Sequence, residues 1–304
     1  MLKVGVVGIG SIGIHHARIY SQIEGVRLAA VADSNFAKAE ETASKYNCKA
    51  YDNYLEMMDR VDAVSISVPT VLHYRVAMDF LKNNKDILLE KPITSDVKEA
   101  EELIFEAEKR GRVLQVGHLE RFNSGVALIS GMIKEPKFIE SQRLSPFLGR
   151  GTDVDVTLDL MIHDIDIILS LMDSEISDLR ATGAKVLTEN IDVSHAWIEF
   201  KSGCIAEVVA SRIAPEKKRQ LKVFQHNAYL SLDYQTREVM RYRKFNDKIE
   251  QETMKAEDKE PLREQLASFI ECVKNRTKPL VSGREGKEAL KVALRISEEI
   301  RNEK

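Results

Sequence analysis

Leu2-Lys-Val-Gly-Val-Val7 followed by Gly8-Ile-Gly10-Ser-Ile-Gly13 constrains this chain more than any other stretch. A short apolar strand stops at three glycines, and Ile12, His16, Ile19 and Ile23 then recur at helical spacing. Strand, glycine turn and helix in that order make the first half of a nucleotide-binding βαβ unit. The first glycine allows the tight turn, the second lets a pyrophosphate approach the backbone, and the third lets the helix pack close to the strand. Unpaired N–H groups at the helix start then hold the phosphates. The expected phosphate cradle is therefore Gly8, Gly10, Ser11, Ile12 and Gly13. Val26 to Ala32 is a second apolar strand ending in Asp33, twenty residues beyond Gly13. A carboxylate there accepts hydrogen bonds from an adenosine ribose and repels a 2′-phosphate, which favours NAD over NADP. The competing role for Asp33 is a cap for a helix over Asn35–Tyr46.

The alternation continues. Asp62 to Val68 reads as a strand broken by Pro69-Thr70, and Val71 to Asn83 as a helix. Ile87 to Leu89 is an apolar run of the kind a doubly buried parallel strand needs, and it ends in Glu90-Lys91-Pro92. Pro92 disfavours the helical region for Lys91, so an ammonium is held in an extended turn at the carboxyl end of a strand. Ligands of open α/β sheets bind along that edge; the alternative is a solvated loop lysine. Ser95 or Asp96 caps a helix that runs to Gly111, and Val113 to Val116 is the next strand. These elements predict a doubly wound parallel sheet.

Beyond Gly117-His118 the pattern changes. Phe138–Leu144, Leu179–Leu187, Ser194–Phe200, Cys204–Ser211, Leu221–Gln225, Tyr229–Leu232 and Glu238–Tyr242 read as strands of an α+β domain with a large, mostly antiparallel open sheet. Lys244 to Glu260, polar and charged, is expected to be a mobile loop. Helices over Pro261–Arg276 and Arg284–Asn302 finish the chain. The predicted domains are 1–120, with the helix at about 285–304 packing back on it, and 121–284. One helix, Thr157 to Met172, interrupts the strands and carries Asp159 and His163, four residues apart. On one helix face such an Asp can fix the tautomer of the His and raise its basicity, as a general base or acid requires. The plainer reading is a helix with capping acids and one satisfied histidine.

Composition narrows the rest. With 31% charged residues, 43% hydrophobic residues and a net charge of −3, the chain has the profile of a soluble globular protein. Nothing in that balance favours nucleic acid or a membrane surface as partner. Cys48, Cys204 and Cys272 have no metal-ligand or CxxC spacing, so no metal is expected and the thiols fit a reducing cytoplasm. Three glycines within the first apolar run argue for a strand there rather than a secretory leader.

Gly8-x-Gly-x-x-Gly13, Glu90-Lys91-Pro92 and Asp159-x-x-x-His163 together resemble the GFO/IDH/MocA oxidoreductases, glucose–fructose oxidoreductase, inositol dehydrogenase and their relatives. The resemblance spans essentially the whole chain and implies an NAD-dependent dehydrogenase of two domains. It places Lys91, Asp159 and His163 at the reaction centre and leaves open whether lysine or histidine takes the proton first. Pro69, His73, Glu90 and Lys91 join the glycine turn and Asp33 in the implied cofactor-binding set. Lys91, His118, Arg121, Asn123, Asp159 and His163 form the implied substrate-binding set. Gln115-Val-Gly-His-Leu-Glu-Arg-Phe-Asn123, Leu144-Ser-Pro-Phe147 and Gly149-Arg-Gly-Thr-Asp153 further resemble a branch that oxidises a UDP-N-acetylhexosamine to a 3-keto sugar. Arg121, Arg143, Arg150, Arg212 and Lys217-Lys-Arg219 are the cations available for a diphosphate. The family also implies a homo-oligomer, dimer or tetramer, formed through the open sheet. Oxidation of a free cyclitol or monosaccharide, or dinucleotide binding without turnover, are the rival functions.

Overall fold

A computed structural model describes residues 1–149, 154–246 and 248–302. The chain divides into two compact units, the first made of Met1–His118 and Leu262–Lys287. Its strands are β1 (Leu2–Val7), β2 (Val26–Ala32), β3 (Lys49–Tyr51), β4 (Ala63–Ile66), β5 (Asp86–Glu90) and β6 (Leu114–Gly117). They form one parallel sheet in the order β3-β2-β1-β4-β5-β6. Helices α1 (Gly13–Tyr20), α2 (Phe36–Tyr46), α3 (His73–Lys82) and α4 (Val97–Lys109) connect them. Strand order reverses at β1, where β2 lies on one side and β4 on the other, and that switch point opens the crevice in which such sheets bind ligands. Of the two possible caps for α4, Asp96 is the one used: its carboxylate accepts the N–H groups of Lys98 and Glu99.

The second unit consists of Leu119–Pro261 and Glu288–Lys304. It begins with α5 (Ser124–Ser130), a short helix that its sequence does not announce, and then β7 (Phe138–Leu144). A π-helical turn, Thr157–Met161, leads into α6 (Ile162–Leu171). The remaining strands are β8 (Ile176–Ala184), β9 (Val193–Phe200), β10 (Ile205–Ser211), β11 (Lys218–Gln225), β12 (Ala228–Asp233), β13 (Glu238–Phe245) and β14 (Lys248–Lys255). Their order is β14-β13-β12-β11-β7-β10-β9-β8, antiparallel throughout except for β7 beside β10. Alternation along β7 and β9 puts one face of this sheet into the core with α6 and leaves the other face half-exposed.

Two expectations change. The segment expected to be a mobile loop contains β14, an edge strand held by β13. Its charged residues are cross-strand partners, Arg241 with Glu252 and Arg243 with Glu250 at 2.8 Å, and charge on an edge also discourages further strand addition. The C-terminal helices, α7 (Pro261–Asn275) and α8 (Gly283–Asn302), do not return as one final helix. The returning segment is α7 with the first turn of α8, tied to the sheet where Val116 N–H donates to Val281 O. The rest of α8 lies in the core of the second unit through Ala289, Val292, Ala293, Ile296 and Ile300. The first turn of α8 has no apolar side chain and packs close through Gly283 and Gly286, where an added Cβ would lie 2.7 Å from Leu114 and from Val116. Among the described residues, no helix is long and apolar enough to cross a membrane.

Candidate active site

The glycine turn is closed at both ends and open in the middle. Gly8 has φ +88°, and a Cβ on it would lie 2.6 Å from Ser67 O. A Cβ on Gly13 would lie 1.8 Å from Gly8 O, so α1 packs against the turn as only glycine permits. At Gly10 a Cβ would meet nothing within 4 Å. That empty approach is the space a pyrophosphate needs to reach the backbone. Ile12 is the N-cap of α1 and contributes no side-chain cap, so no side chain competes for the N–H groups at the helix start. Ser11 is exposed beside it.

Asp33 Oδ2 accepts Ile9 N–H at 2.7 Å and Oδ1 accepts Asn35 N–H at 2.8 Å. Neither donor lies inside α2, so Asp33 is a fixed carboxylate beside the glycine turn rather than the cap of that helix. A cavity of about 470 Å³ runs along Gly8, Gly10, Asp33, Ser34, Asn53 and Pro69. These residues fit a dinucleotide: an open glycine for the phosphates and a fixed carboxylate for the ribose.

His73 behaves differently from the rest of the implied cofactor set. It is buried, with Nδ1 2.8 Å from Pro92 O and Nε2 2.9 Å from Val68 O. Burial pulls its imidazole below the usual range, against the pull of both carbonyls and of Glu90. It ties the turn after β4 to the turn after β5. Glu90 also points inward, where its Oε1 lies 3.4 Å from His16 Nε2. Burial pushes the Glu90 carboxyl up, but contact with His16 and the charges of His16, Lys91 and His73 outweigh it and hold the group below the usual carboxylate range. Lys91, half-buried, follows at the end of β5, joined to Pro92 by a cis peptide bond.

In the second unit Asp159 lies in the π-helical turn and His163 in the first turn of α6, both half-buried. The π turn adds a residue to the helical repeat, which rotates Asp159 relative to a plain i, i+4 partner; such turns recur at functional sites. Next to His163, the carboxylate of Asp164 is buried and grips Arg143 through Nε at 2.6 Å and Nη2 at 3.2 Å. Arg143 Nη1 also donates to Glu120 at 3.0 Å, and Ser141 Oγ to Asp164 at 2.9 Å.

This cluster changes the reading of several residues. Arg143 is saturated by carboxylates inside the core and is not available to a diphosphate. Arg212 is buried as well, donating to Val154 O at 2.7 Å. Asn123 caps α5 through Gly125 N–H, and its amide is spent on Glu120 and Tyr234 O. Arg121 lies 3.5 Å from Asp166, His118 is buried just past β6, and Lys217 and Lys218 are exposed. Arg150 lies outside the described residues. Sequence reasoning did not bring Glu120, Asp164 and Tyr234 together around Arg143; the period of two from Ile139 through Ser141 to Arg143 was the available signal that this arginine turns inward. Among the described residues, no cluster of three or more His, Cys, Asp or Glu could hold a metal.

A parallel sheet with a closed glycine turn, an open approach at Gly10 and a fixed carboxylate beside it defines a dinucleotide-binding fold. Residues 2–118 match the family described as oxidoreductases with an NAD-binding Rossmann fold, and residues 132–231 match the GFO/IDH/MocA C-terminal domain. The chain belongs to the GFO/IDH/MocA family of NAD-dependent oxidoreductases. It is 37% identical to the UDP-N-acetylglucosamine 3-dehydrogenase of Acidithiobacillus ferrooxidans over 77% of this chain and 74% of that one. The solved structure of that enzyme matches with a TM-score of 0.94 at 32% identity, covering 98% of this chain and 97% of the other. The scyllo-inositol 2-dehydrogenase of Bacillus subtilis is 28% identical over 70% of this chain and 68% of its own length.

Proposed function

We propose that this enzyme oxidises a ring hydroxyl of a UDP-N-acetylhexosamine to a 3-keto sugar. The observation that carries this reading is the match to the Acidithiobacillus UDP-N-acetylglucosamine 3-dehydrogenase, at 37% identity against 28% for the Bacillus inositol enzyme. Bound NAD supplies the hydride acceptor. His163, oriented by Asp159, takes the proton of the hydroxyl, and the ammonium of Lys91 stabilises the alkoxide as it develops. With Arg143 and Arg212 consumed in the core, Arg121 and the exposed Lys217-Lys218 pair are the diphosphate partners this reading uses. The enzyme works in the cytoplasm, in keeping with three free cysteines. It assembles as a homo-oligomer through the half-exposed face of the second sheet. There Phe138, Phe224, Tyr229 and Tyr242 form a row with successive ring centroids 5.8, 5.0 and 5.8 Å apart.

The test is NADH formation with UDP-N-acetylglucosamine, free N-acetylglucosamine and inositols, the ketone being removed by an aminotransferase that accepts 3-keto sugars. UDP-N-acetylglucosamine should turn over and the free sugar should lose kcat/KM by orders of magnitude, part of it in kcat, because remote binding energy positions the ring. Efficient oxidation of inositol with no response to any UDP-sugar refutes the substrate and leaves the family untouched.

A further inference from the structure

Glu90 is not spent on the nucleotide cavity. Its side chain is 15% exposed, and its Oε1 lies 3.4 Å from Nε2 of a histidine with no exposure, His16. The carboxylate rests on the backbone of β6: a Cβ on Gly117 would lie 2.6, 2.8 and 2.9 Å from its three terminal atoms. On the other side of Lys91, His73 Nδ1 holds Pro92 O at 2.8 Å. The turn that carries Lys91 is thus gripped before the lysine by α1 and β6, and after it by α3.

Packing alone does not call for a charge at position 90. A glutamine has the same shape and fills the same space without the cost of desolvating a carboxylate, which runs to several kcal/mol for a buried ion. A buried acid with a histidine partner at the edge of a ligand-binding sheet is the arrangement expected where charge serves function. His16 adds a second link, since it lies in the helix whose first turn closes the glycine cradle.

We infer that Glu90, braced by His16 and seated on Gly117, is a positioning carboxylate that keeps Lys91 in place by tying the turn that carries it to the nucleotide-binding helix α1. The inference rests on the reading of Lys91 as the cation of the reaction centre. The charged and titratable groups that face Glu90 are His16 and Tyr20 from α1, His73 from α3, and Lys91 itself. Without that anchor the turn opens more often, and an amine on a looser turn meets acylating reagents more often.

Acetic anhydride labelling of the intact protein at pH 8, with Lys91 acetylation read by peptide mass spectrometry, reports that amine without any substrate. In Glu90→Gln the labelling rate of Lys91 should rise about three- to tenfold, the range that goes with losing one polar contact that holds the turn. Tm should hold, and NAD affinity should fall less than in Gly10→Ala, because the glycine turn and Asp33 are untouched. With UDP-N-acetylglucosamine and product trapping, kcat should fall by about a hundredfold, the scale of a misplaced reacting group. Gly117→Ala, which displaces the carboxylate without removing it, should raise labelling as well and serves if Glu90→Gln does not fold. Unchanged Lys91 labelling in a folded Glu90→Gln or Gly117→Ala variant overturns the inference and leaves the role of Lys91 standing. Normal turnover by Lys91→Ala removes that role, and the inference falls with it.

Discussion

The glycine turn allows two neighbouring substitutions to be separated by their consequences. At Gly10 the added methyl of alanine meets no atom within 4 Å, and Gly10 is not among the glycines with positive φ. Gly10→Ala therefore adds no clash in the free protein and restricts the unfolded chain, an effect of about 0.4–1 kcal/mol in favour of folding. The same methyl projects into the space a phosphate needs. Losing one hydrogen bond to a charged group costs about 1.5–3 kcal/mol, or roughly 10- to 150-fold in Kd. At Gly13 the methyl lands 1.8 Å from Gly8 O and 2.6 Å from Ser67 Oγ. One of those contacts is backbone, so α1 must move off β1, an overpacking error that costs about 1–3 kcal/mol or more. Calorimetric titration with NAD and thermal unfolding without nucleotide measure both quantities. Gly10→Ala should keep or raise Tm and lose NAD; Gly13→Ala should lose both. NAD binding at wild-type strength by Gly10→Ala would refute the assignment of the open turn as the phosphate site, and a Tm loss matching that of Gly13→Ala would refute the steric argument.

Asp33→Ala should narrow the preference for NAD over NADP in direct titration, the outcome expected when a carboxylate fixed by Ile9 and Asn35 N–H faces the adenosine ribose; an unchanged ratio contradicts that role. His163→Ala should lower kcat by at least about a hundredfold with little change in NAD affinity, the scale of a positioned acid–base group, and near-normal turnover removes it from the mechanism. Burial pushes the Asp192 carboxyl up, but the N–H groups of Val186, Leu187 and Thr188 and the Thr188 hydroxyl bring it down to about 2. Its folded value lies below the ordinary one, so its contribution is complete above about pH 4 and is lost as pH falls toward 2. Urea denaturation between those limits should show a flatter pH dependence for Asp192→Asn, and an identical slope argues against the assignment.

What the sequence made legible is whatever its local chemistry determines. The glycine turn shows because Gly8 and Gly13 have no room for a Cβ against the backbone while Gly10 leaves an open approach, and the parallel strands show because burial on both faces demands unbroken apolar runs. Strand β14 was hidden because its residues satisfy one another across the hairpin, Arg241 with Glu252, and a lone polar strand has no apolar alternation to reveal it. The contact between His16 and Glu90 was hidden for another reason. The two residues meet only after α1 and β5 have been placed on one sheet, and His16 alone reads as one member of a helical apolar stripe. The arginines misled because a guanidinium in a strand reads as surface unless its phase is followed. Ile139, Ser141 and Arg143 share the inward phase of β7, and all three are buried.

That inward arginine and the inward glutamate follow one physical logic. Lys91 is preceded by Glu90, a half-buried carboxylate 3.4 Å from His16 of α1; His163 is followed by Asp164, a buried carboxylate held by Arg143 of β7. In each unit the residue next to the proposed reacting side chain is an acid that leans on another element of the same unit. Such contacts contribute little net stability, because desolvation of the ions offsets most of their attraction. Their strength is directional: Asp164 takes Nε and Nη2 of Arg143 together at 2.6 and 3.2 Å, which fixes the rotation of α6 about its own axis. An apolar pair would hold the same helix against the same sheet and leave it free to roll by a rotamer or two. A reacting group misplaced by about 1 Å can lose a hundredfold in rate, so rotational certainty one residue from the chemistry is worth more to the enzyme than the stability an apolar pair would add.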